Sequence, residues 1–373
     1  MEGSMRLRRR ELLGGTSTLV GVNRRRLLQG AGALGLSAVF HPTAAFAQPE
    51  GEGERLGPFG PWSTPVNLGP VINTQYNETH PAISKNGLSL YITSNRPGGV
   101  NGQTFTGFNE IWVSQRDSID APWKAPVNLD AFNDTPVINS VGLGTAVPSF
   151  SADGHLLFFS IEGPGRPGGF GGSDLYVSRR TNKHDDFGWQ EPVNLGPLIN
   201  SPQDDTALTY FEDEGTGIIS AYVTSNRPGG LPGGLPGKFH IYVSTLGDDG
   251  SFGPAVLVPE LNSLYEETRT AIRRDGLEFF LSSSRPNGRI GTNDIWVSTR
   301  DSTLEPWSTP VNLGPTVNFA RYVTGAPALS WDGTTLYFYS TRPGGSGGRD
   351  LYVATRRKLR NDEADEEESR HRR

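Results

Sequence analysis

Apolar and polar residues along this chain alternate in short bursts with no helical spacing. Runs such as Leu336-Tyr-Phe-Tyr339 and Ile295-Trp-Val297 are apolar at consecutive positions, as a strand buried on both faces requires. These runs are bounded by glycine and proline, and several follow an Asn-Gly or Asp-Gly pair, the strongest short-range hairpin signal. The pattern predicts many short strands separated by tight turns.

The bursts repeat with a period of roughly 60 residues. One segment recurs as Trp62-Ser-Thr-Pro65-Val-Asn-Leu68, Trp123-Lys-Ala-Pro126-Val-Asn-Leu129, Trp189-Gln-Glu-Pro192-Val-Asn-Leu195 and Trp307-Ser-Thr-Pro310-Val-Asn-Leu313, with a degenerate copy from Phe252 to Val258. A second is SNRPGG at 94–99, GRPGG at 165–169, SNRPGG at 225–230, SSRPNG at 283–288 and STRPGG at 340–345. A third closes each unit: EIWVSQR at 110–116, DLYVSRR at 174–180, HIYVST at 240–245, DIWVSTR at 294–300 and DLYVATR at 350–356. Each unit reads as four strands, and stacked blades need strands buried on both faces. The expected fold is therefore all-β, a single five-bladed β-propeller of four-stranded antiparallel blades over residues 61–356.

Composition sharpens this reading. The 48 Gly and 28 Pro suit turns, while 18 Phe, 11 Tyr and 7 Trp suit strands. The absence of cysteine excludes disulfides, thiolate metal sites and cysteine nucleophiles. Residues 1–47 read as a signal: Asn23-Arg24-Arg25-Arg26-Leu27-Leu28-Gln29 resembles a twin-arginine export motif. An apolar stretch from Gly30 to Phe40 follows, and Ala45-Phe46-Ala47 offers a cleavage site. That stretch is too short for a comfortable membrane span. The mature protein is expected in the periplasm or outside the cell, without a transmembrane span. Its loss removes seven Arg and two Glu from totals of 34 basic and 40 acidic residues, taking the formal net charge from −6 to −11. Such a chain has no general attraction for nucleic acid. Residues 48–60 read as a linker, and 357–373 as a charged, disordered tail.

The pattern P-A-x-S-x-[DN]-G followed by L-Y-F-x-S-x-R-P-G-G-x-G-G-x-D-[IL]-Y-V runs from Pro327-Ala-Leu-Ser-Trp-Asp-Gly333 to Asp350-Leu-Tyr-Val353. It resembles the WD40-like repeat of TolB-type β-propellers. The amino-terminal α/β domain of TolB has no counterpart in the sequence, so TolB's partners are not expected here. The resemblance implies that the strand after each Pro-Val-Asn-Leu segment lies innermost and the Pro-Val-Asn-Leu strand outermost. The strand at Trp62–Leu68 then pairs with the last strand and closes the ring, which removes a sheet edge.

Arg96, Arg166, Arg227, Arg285 and Arg342 occupy equivalent positions, and Glu110, Asp174, Asp294 and Asp350 open the following strand. Paired guanidinium and carboxylate groups within each blade are the expected structural use. Function in a propeller is expected where repeats differ, at the loops entering the innermost strand. There lie Tyr76, Glu78, Asp204, Asp205, Tyr265, Glu266, Glu267, Arg321 and Tyr322, with His240 from the neighbouring loops. Glu78, Asp205 and Glu267 fall at one ring position and suggest an acidic mouth suited to polar ligands. The leading expectation is an exported, monomeric, non-catalytic module that presents this mouth to a polysaccharide, an envelope component or a protein partner. The alternative is a carbohydrate-active enzyme, a glycoside hydrolase or lyase, with Glu78, Asp205 and Glu267 as its carboxylates. No cofactor is expected and no His cluster has metal-ligand spacing, although Ca²⁺ at the acidic mouth stays open.

Overall fold

The computed structural model describes residues 58–102, 104, 107–163, 168–234, 236–286 and 293–360. The signal segment, most of the linker, Arg166 and the tail beyond residue 360 lie outside the described residues. The described chain forms five four-stranded antiparallel sheets and one turn of 3-10 helix at Pro259–Leu261. Among the described residues no helix is long and apolar enough to cross a membrane.

The innermost strands are Glu78–Ile83, Gly144–Phe150, Asp205–Glu212, Glu267–Ile272 and Thr324–Leu329. Each opens its sheet, followed outward by two longer strands and then a two-residue outer strand. In the first four blades the outer strands are Val127–Asn128, Val193–Asn194, Val256–Leu257 and Val311–Asn312. In the fifth blade that place is taken by Val66–Asn67 from the start of the described chain, in register with Val353 and Tyr352. The ring is thus closed by the two chain ends, and the fold is the five-bladed propeller that the repeats predict.

Burial follows the sequence pattern. The second strand of blade 1, Ser89–Ser94, is buried at every position, since both of its faces meet neighbouring sheets. Five apolar clusters fill the gaps between successive blades, for example Leu90, Ile92, Tyr337 and Leu351 between the first and last. The Ser-x-[Asp/Asn]-Gly hairpins owe their recurrence to local bonding. In blade 2, Ser151 Oγ donates to Asp153 Oδ1 at 2.6 Å and the His155 N–H donates to the same oxygen at 2.9 Å. The four repeated tryptophans are packing residues, each covered by an arginine. Arg116, Arg180, Arg300 and Arg356 lie 4.0–4.4 Å from the ring centroids of Trp123, Trp189, Trp307 and Trp62.

Candidate active site

Among the described residues, Arg96, Arg227, Arg285 and Arg342 make no ion pair with the acid that opens the next strand, contrary to what the spacing suggests. Arg96 donates from its Nε to Ser94 and from one NH2 group to the Ile72 carbonyl at 2.7 Å and to Glu78 at 3.0 Å. Arg285 repeats this with Ser283, the Leu261 carbonyl and Glu267, and Arg227 with Ser225, the Ile199 carbonyl and Asp205. In blade 5 the carboxylate position is Thr324, and Arg342 lies over the Tyr352 ring at 4.8 Å. The guanidinium bends back toward its own inner strand because the opening acids are already satisfied. Glu110 accepts from the Val100 and Asn101 N–H groups and from Asn128. Asp174 accepts from Phe170, Gly171 and Asn194, Asp294 from Asn312, and Asp350 from Ser346, Gly347 and Asn67. The Asn of each Pro-Val-Asn and the glycine-rich loop are therefore a cradle for that acid. The final glycines also allow close approach between blades: a Cβ on Gly171 or Gly347 would sit 1.9 Å from the carbonyl oxygen of Gln203 or Tyr76.

A second asparagine, not singled out from the sequence, holds each blade as well. Asn73, Asn139, Asn200, Asn262 and Asn318 each accept from and donate to the backbone of one residue: Leu351, Ile111, Leu175, Ile241 and Ile295 respectively. Its signal is an Asn after an apolar residue, six positions beyond the Pro-Val-Asn asparagine in three units.

These bonds decide the fate of the expected acidic mouth. Glu78, Asp205 and Glu267 are fully buried, each held by an arginine and by a serine or threonine four residues earlier. His240, itself buried, adds its Nδ1 at 3.3 Å from Glu267. Burial pushes the Glu267 carboxyl up, but bonds from His240 and Ser263 and the Arg285 charge outweigh it and hold it below its ordinary value. The stability it contributes is therefore present above the unfolded-state pKa of about 4.3 and lost as pH falls through the lower folded value. Glu267→Gln is expected to cost about 1–3 kcal/mol near neutrality and progressively less as pH falls below the ordinary carboxylate range. Urea melts across a descending pH series check this, and a loss that does not shrink with pH would rule it out.

The other expected mouth residues stay near the surface. Tyr265 is exposed, Glu266 lies 3.6 Å from Lys238, Asp204 is bonded to Asn226, and Tyr322 packs against Phe319. Tyr76 is half-buried, while Arg321 is exposed with φ 72°. The structure brings none of these ten residues to the wall of the central channel cavity.

That cavity, of about 170 Å³, lies toward the opposite face, where the hairpins between first and second strands gather. Each inner strand carries a bulge near its start. His80, Val147, Arg269 and Ala326 adopt left-handed φ of 42–60° at it. A bulge re-aims side chains, and here it sets one residue each from blades 1, 2, 4 and 5 at the channel's waist, two of them polar and two apolar. Arg269 Nε donates to His80 Nε2 at 2.7 Å, and its NH1 group reaches the Thr206 hydroxyl at 2.9 Å. Burial, then the charges of Arg269 and Arg349, hold His80 well below its ordinary pKa, so the ring is neutral.

Beyond the waist the wall becomes acidic and aromatic. Glu212 ends the third inner strand and accepts a hydrogen bond from Tyr210. Burial, with the charges of Asp153 and Glu214 behind it, pushes the Glu212 carboxyl up, against the pull of Lys85 and the Tyr210 bond. Trp331 lines the same rim, with the Lys85 ammonium 3.9 Å from its centroid and Arg274 at 5.8 Å. Among the described residues no group of three or more His, Asp or Glu could hold a metal ion.

No protein-family model matches the sequence, and comparison with curated proteins finds no relative. Solved structures share the fold. A structure described as a BT0996 RGII complex superposes with a TM-score of 0.50 at 13% identity, covering 79% of this chain and 91% of the other. An α-L-arabinofuranosidase from Lactobacillus brevis gives 0.48 at 17% identity, covering 79% and 94%. The arabinofuranosidase PaAbf62A of Podospora anserina, in complex with cellotriose, gives 0.47 at 13%, covering 80% and 95%. The expectation of a non-catalytic module that presents an acidic mouth is corrected by the geometry: the carboxylates meant to form that mouth are buried and sealed in arginine pairs, away from the channel cavity. What the comparisons establish for this chain is the five-bladed propeller fold.

Proposed function

We propose that this chain is a carbohydrate-active enzyme of the glycoside hydrolase type, working at the hairpin end of the channel with Glu212 as proton donor. The observation that carries the reading is the raised Glu212 carboxyl on the wall of the channel cavity. Glycoside cleavage needs one carboxyl kept protonated to give its proton to the leaving oxygen, and a second, ionised one to meet the developing positive charge. Asp153, on the adjoining hairpin beside the cavity wall and near enough for its charge to act on Glu212, is assigned as the second. Trp331 offers an aromatic edge to a sugar at the rim. At about 170 Å³ the cavity is smaller than sites for drug-sized ligands, which run from about 300 Å³. It suits a single sugar unit at the end of a polysaccharide.

The likeness of the repeat to TolB-type propellers is read as a likeness of blade-building residues, since the shared positions are the hairpin serine and aspartate, the arginine, the glycines and the strand-opening acid described above. Export through the twin-arginine-like segment remains part of the proposal, as a polymer outside the cytoplasm requires.

The test is turnover by the purified protein on plant, algal and bacterial polysaccharides, followed as new reducing ends. Glu212→Gln is expected to lower kcat by about a hundredfold or more, and the wild-type rate to fall on the alkaline side as Glu212 loses its proton. Turnover that survives Glu212→Gln would remove it as the donor. Absence of product from every polymer would count against the enzymatic reading itself.

A further inference from the structure

Most interior arginines of this propeller have an evident counterpart for their charge. Arg96, Arg180, Arg227, Arg285 and Arg356 meet carboxylates, while Arg300 and Arg342 lie over aromatic rings. Arg269 has neither among the described residues. Its partners are neutral: the His80 ring and the Thr206 hydroxyl and carbonyl. Arg269 is half-buried, and a guanidinium partly withdrawn from water without an ion pair is costly. No hydrogen bond among the described residues involves its NH2 group.

His80 repeats the message. Its Nε2 accepts the Arg269 bond, so the neutral ring carries its proton on Nδ1, and Nδ1 is buried without an acceptor among the described residues. An orphan donor of this kind calls for an acceptor. Both residues sit on left-handed bulges, at φ 48° and 42°, and both line the channel cavity. The same bulge in blades 2 and 5 carries Val147 and Ala326, so the strain belongs to the blade while the polar pair belongs to blades 1 and 4. The nearest charges at the far mouth oppose one another: Glu162 is engaged by Asn109, and Arg349 lies over Tyr339. The waist of the channel therefore presents donors and a guanidinium that makes no ion pair among the described residues; the Glu162 charge that favours it is opposed by Arg349.

We infer that the channel waist binds the carboxylate of an acidic sugar residue, a uronate, between the Arg269 guanidinium and the His80 imidazole. This rests on the carbohydrate reading above and narrows it to acidic polymers. A neutral sugar would leave the guanidinium without a direct ion pair, and the sugar-sized cavity continues directly from the pair.

Isothermal titration of the purified protein with D-galacturonate, D-galactose and acetate tests it. Galacturonate is expected to bind at least about tenfold more tightly than either of the others, the ratio a charge-assisted bond supplies. Arg269→Met should lose that advantage while melting no lower than wild type, since a charge without a partner has been removed. Should Arg269→Met fail to fold, His80→Phe is read instead, with an expected fall of about threefold to tenfold from one lost donor. Acetate binding as tightly as galacturonate would overturn the sugar assignment in favour of a free-anion site. Galacturonate binding that persists in Arg269→Met would overturn the site. Glu212→Gln separates the two proposals. Uronate binding through Arg269 without turnover of any polymer sinks the hydrolase reading alone, and cleavage of neutral polymers without uronate binding sinks this one alone.

Discussion

A chain shortened to begin at Gly69 is expected to melt about 10 °C or more below the intact protein. The deletion removes the outer strand of blade 5 and the contacts on either side of it. Backbone bonds from Gly60 to Arg357, Ser63 to Thr355, Leu68 to Leu351 and Leu359 to Pro58 all disappear. Asn67 no longer supports Asp350, and Trp62 leaves the Phe280 ring and the Arg356 guanidinium exposed. At about 1 kcal/mol for each hydrogen bond, the loss reaches about 5 kcal/mol before the tryptophan's apolar surface is counted. Calorimetry of the two chains decides it. Coincident transitions would mean that the ring stands without its clasp.

The second large effect is expected from Asp186→Ala. Asp186 and Arg180 are both almost wholly buried and lie 2.9 Å apart. The carboxylate also accepts from Ser89 at 2.6 Å, Tyr91 at 3.0 Å and Gln115 at 2.7 Å, so it bolts blade 1 to blade 2. Removing it strands the Arg180 charge and leaves the Ser89 and Gln115 donors without that acceptor, while Tyr91 keeps the backbone carbonyl of residue 186 at 3.1 Å; breaking such a pair costs about 3–5 kcal/mol. Urea unfolding should show that loss at unchanged slope. The double change Asp186→Ala with Arg180→Met should recover part of it, because no buried charge is then left alone. A double variant as weak as the single one would show that the hydroxyl and amide bonds carry the joint.

The fold was legible because a propeller writes the same instructions five times. The Asp-Gly hairpins, doubly buried strands and Trp-x-x-Pro-Val-Asn segments each reflect a local constraint, and repetition removes the ambiguity of any one copy. The site was harder to read for the same reason. Glu78, Asp205 and Glu267 looked functional because acids clustered at one ring position, yet recurrence there marks a part of the frame. Each has an arginine and a hydroxyl at fixed spacing. The channel residues that differ most, His80 and Arg269, lie inside strands on bulges, and a bulge of one residue leaves no mark in an alternating pattern. Glu212 was equally hidden. Its raised carboxyl depends on Asp153 and Glu214, and no spacing rule links Asp153, on a neighbouring blade, to it.

The pairing of Val66 with Val353 also fixes an order of events during synthesis. The segment that completes blade 5 leaves the ribosome before any of the inner strands, and its partner leaves last. Until the Val353 strand emerges, the nascent chain is an open arc. The face of Leu90 and Ile92 that later meets Tyr337 and Leu351 stays uncovered throughout. Blades can form one after another as they emerge, but the circle can be joined only once the strand around Val353 has followed them out. Quality control of this protein therefore rests on a single late step, and a chain stalled just short of its last strand would hold four sound blades yet remain open.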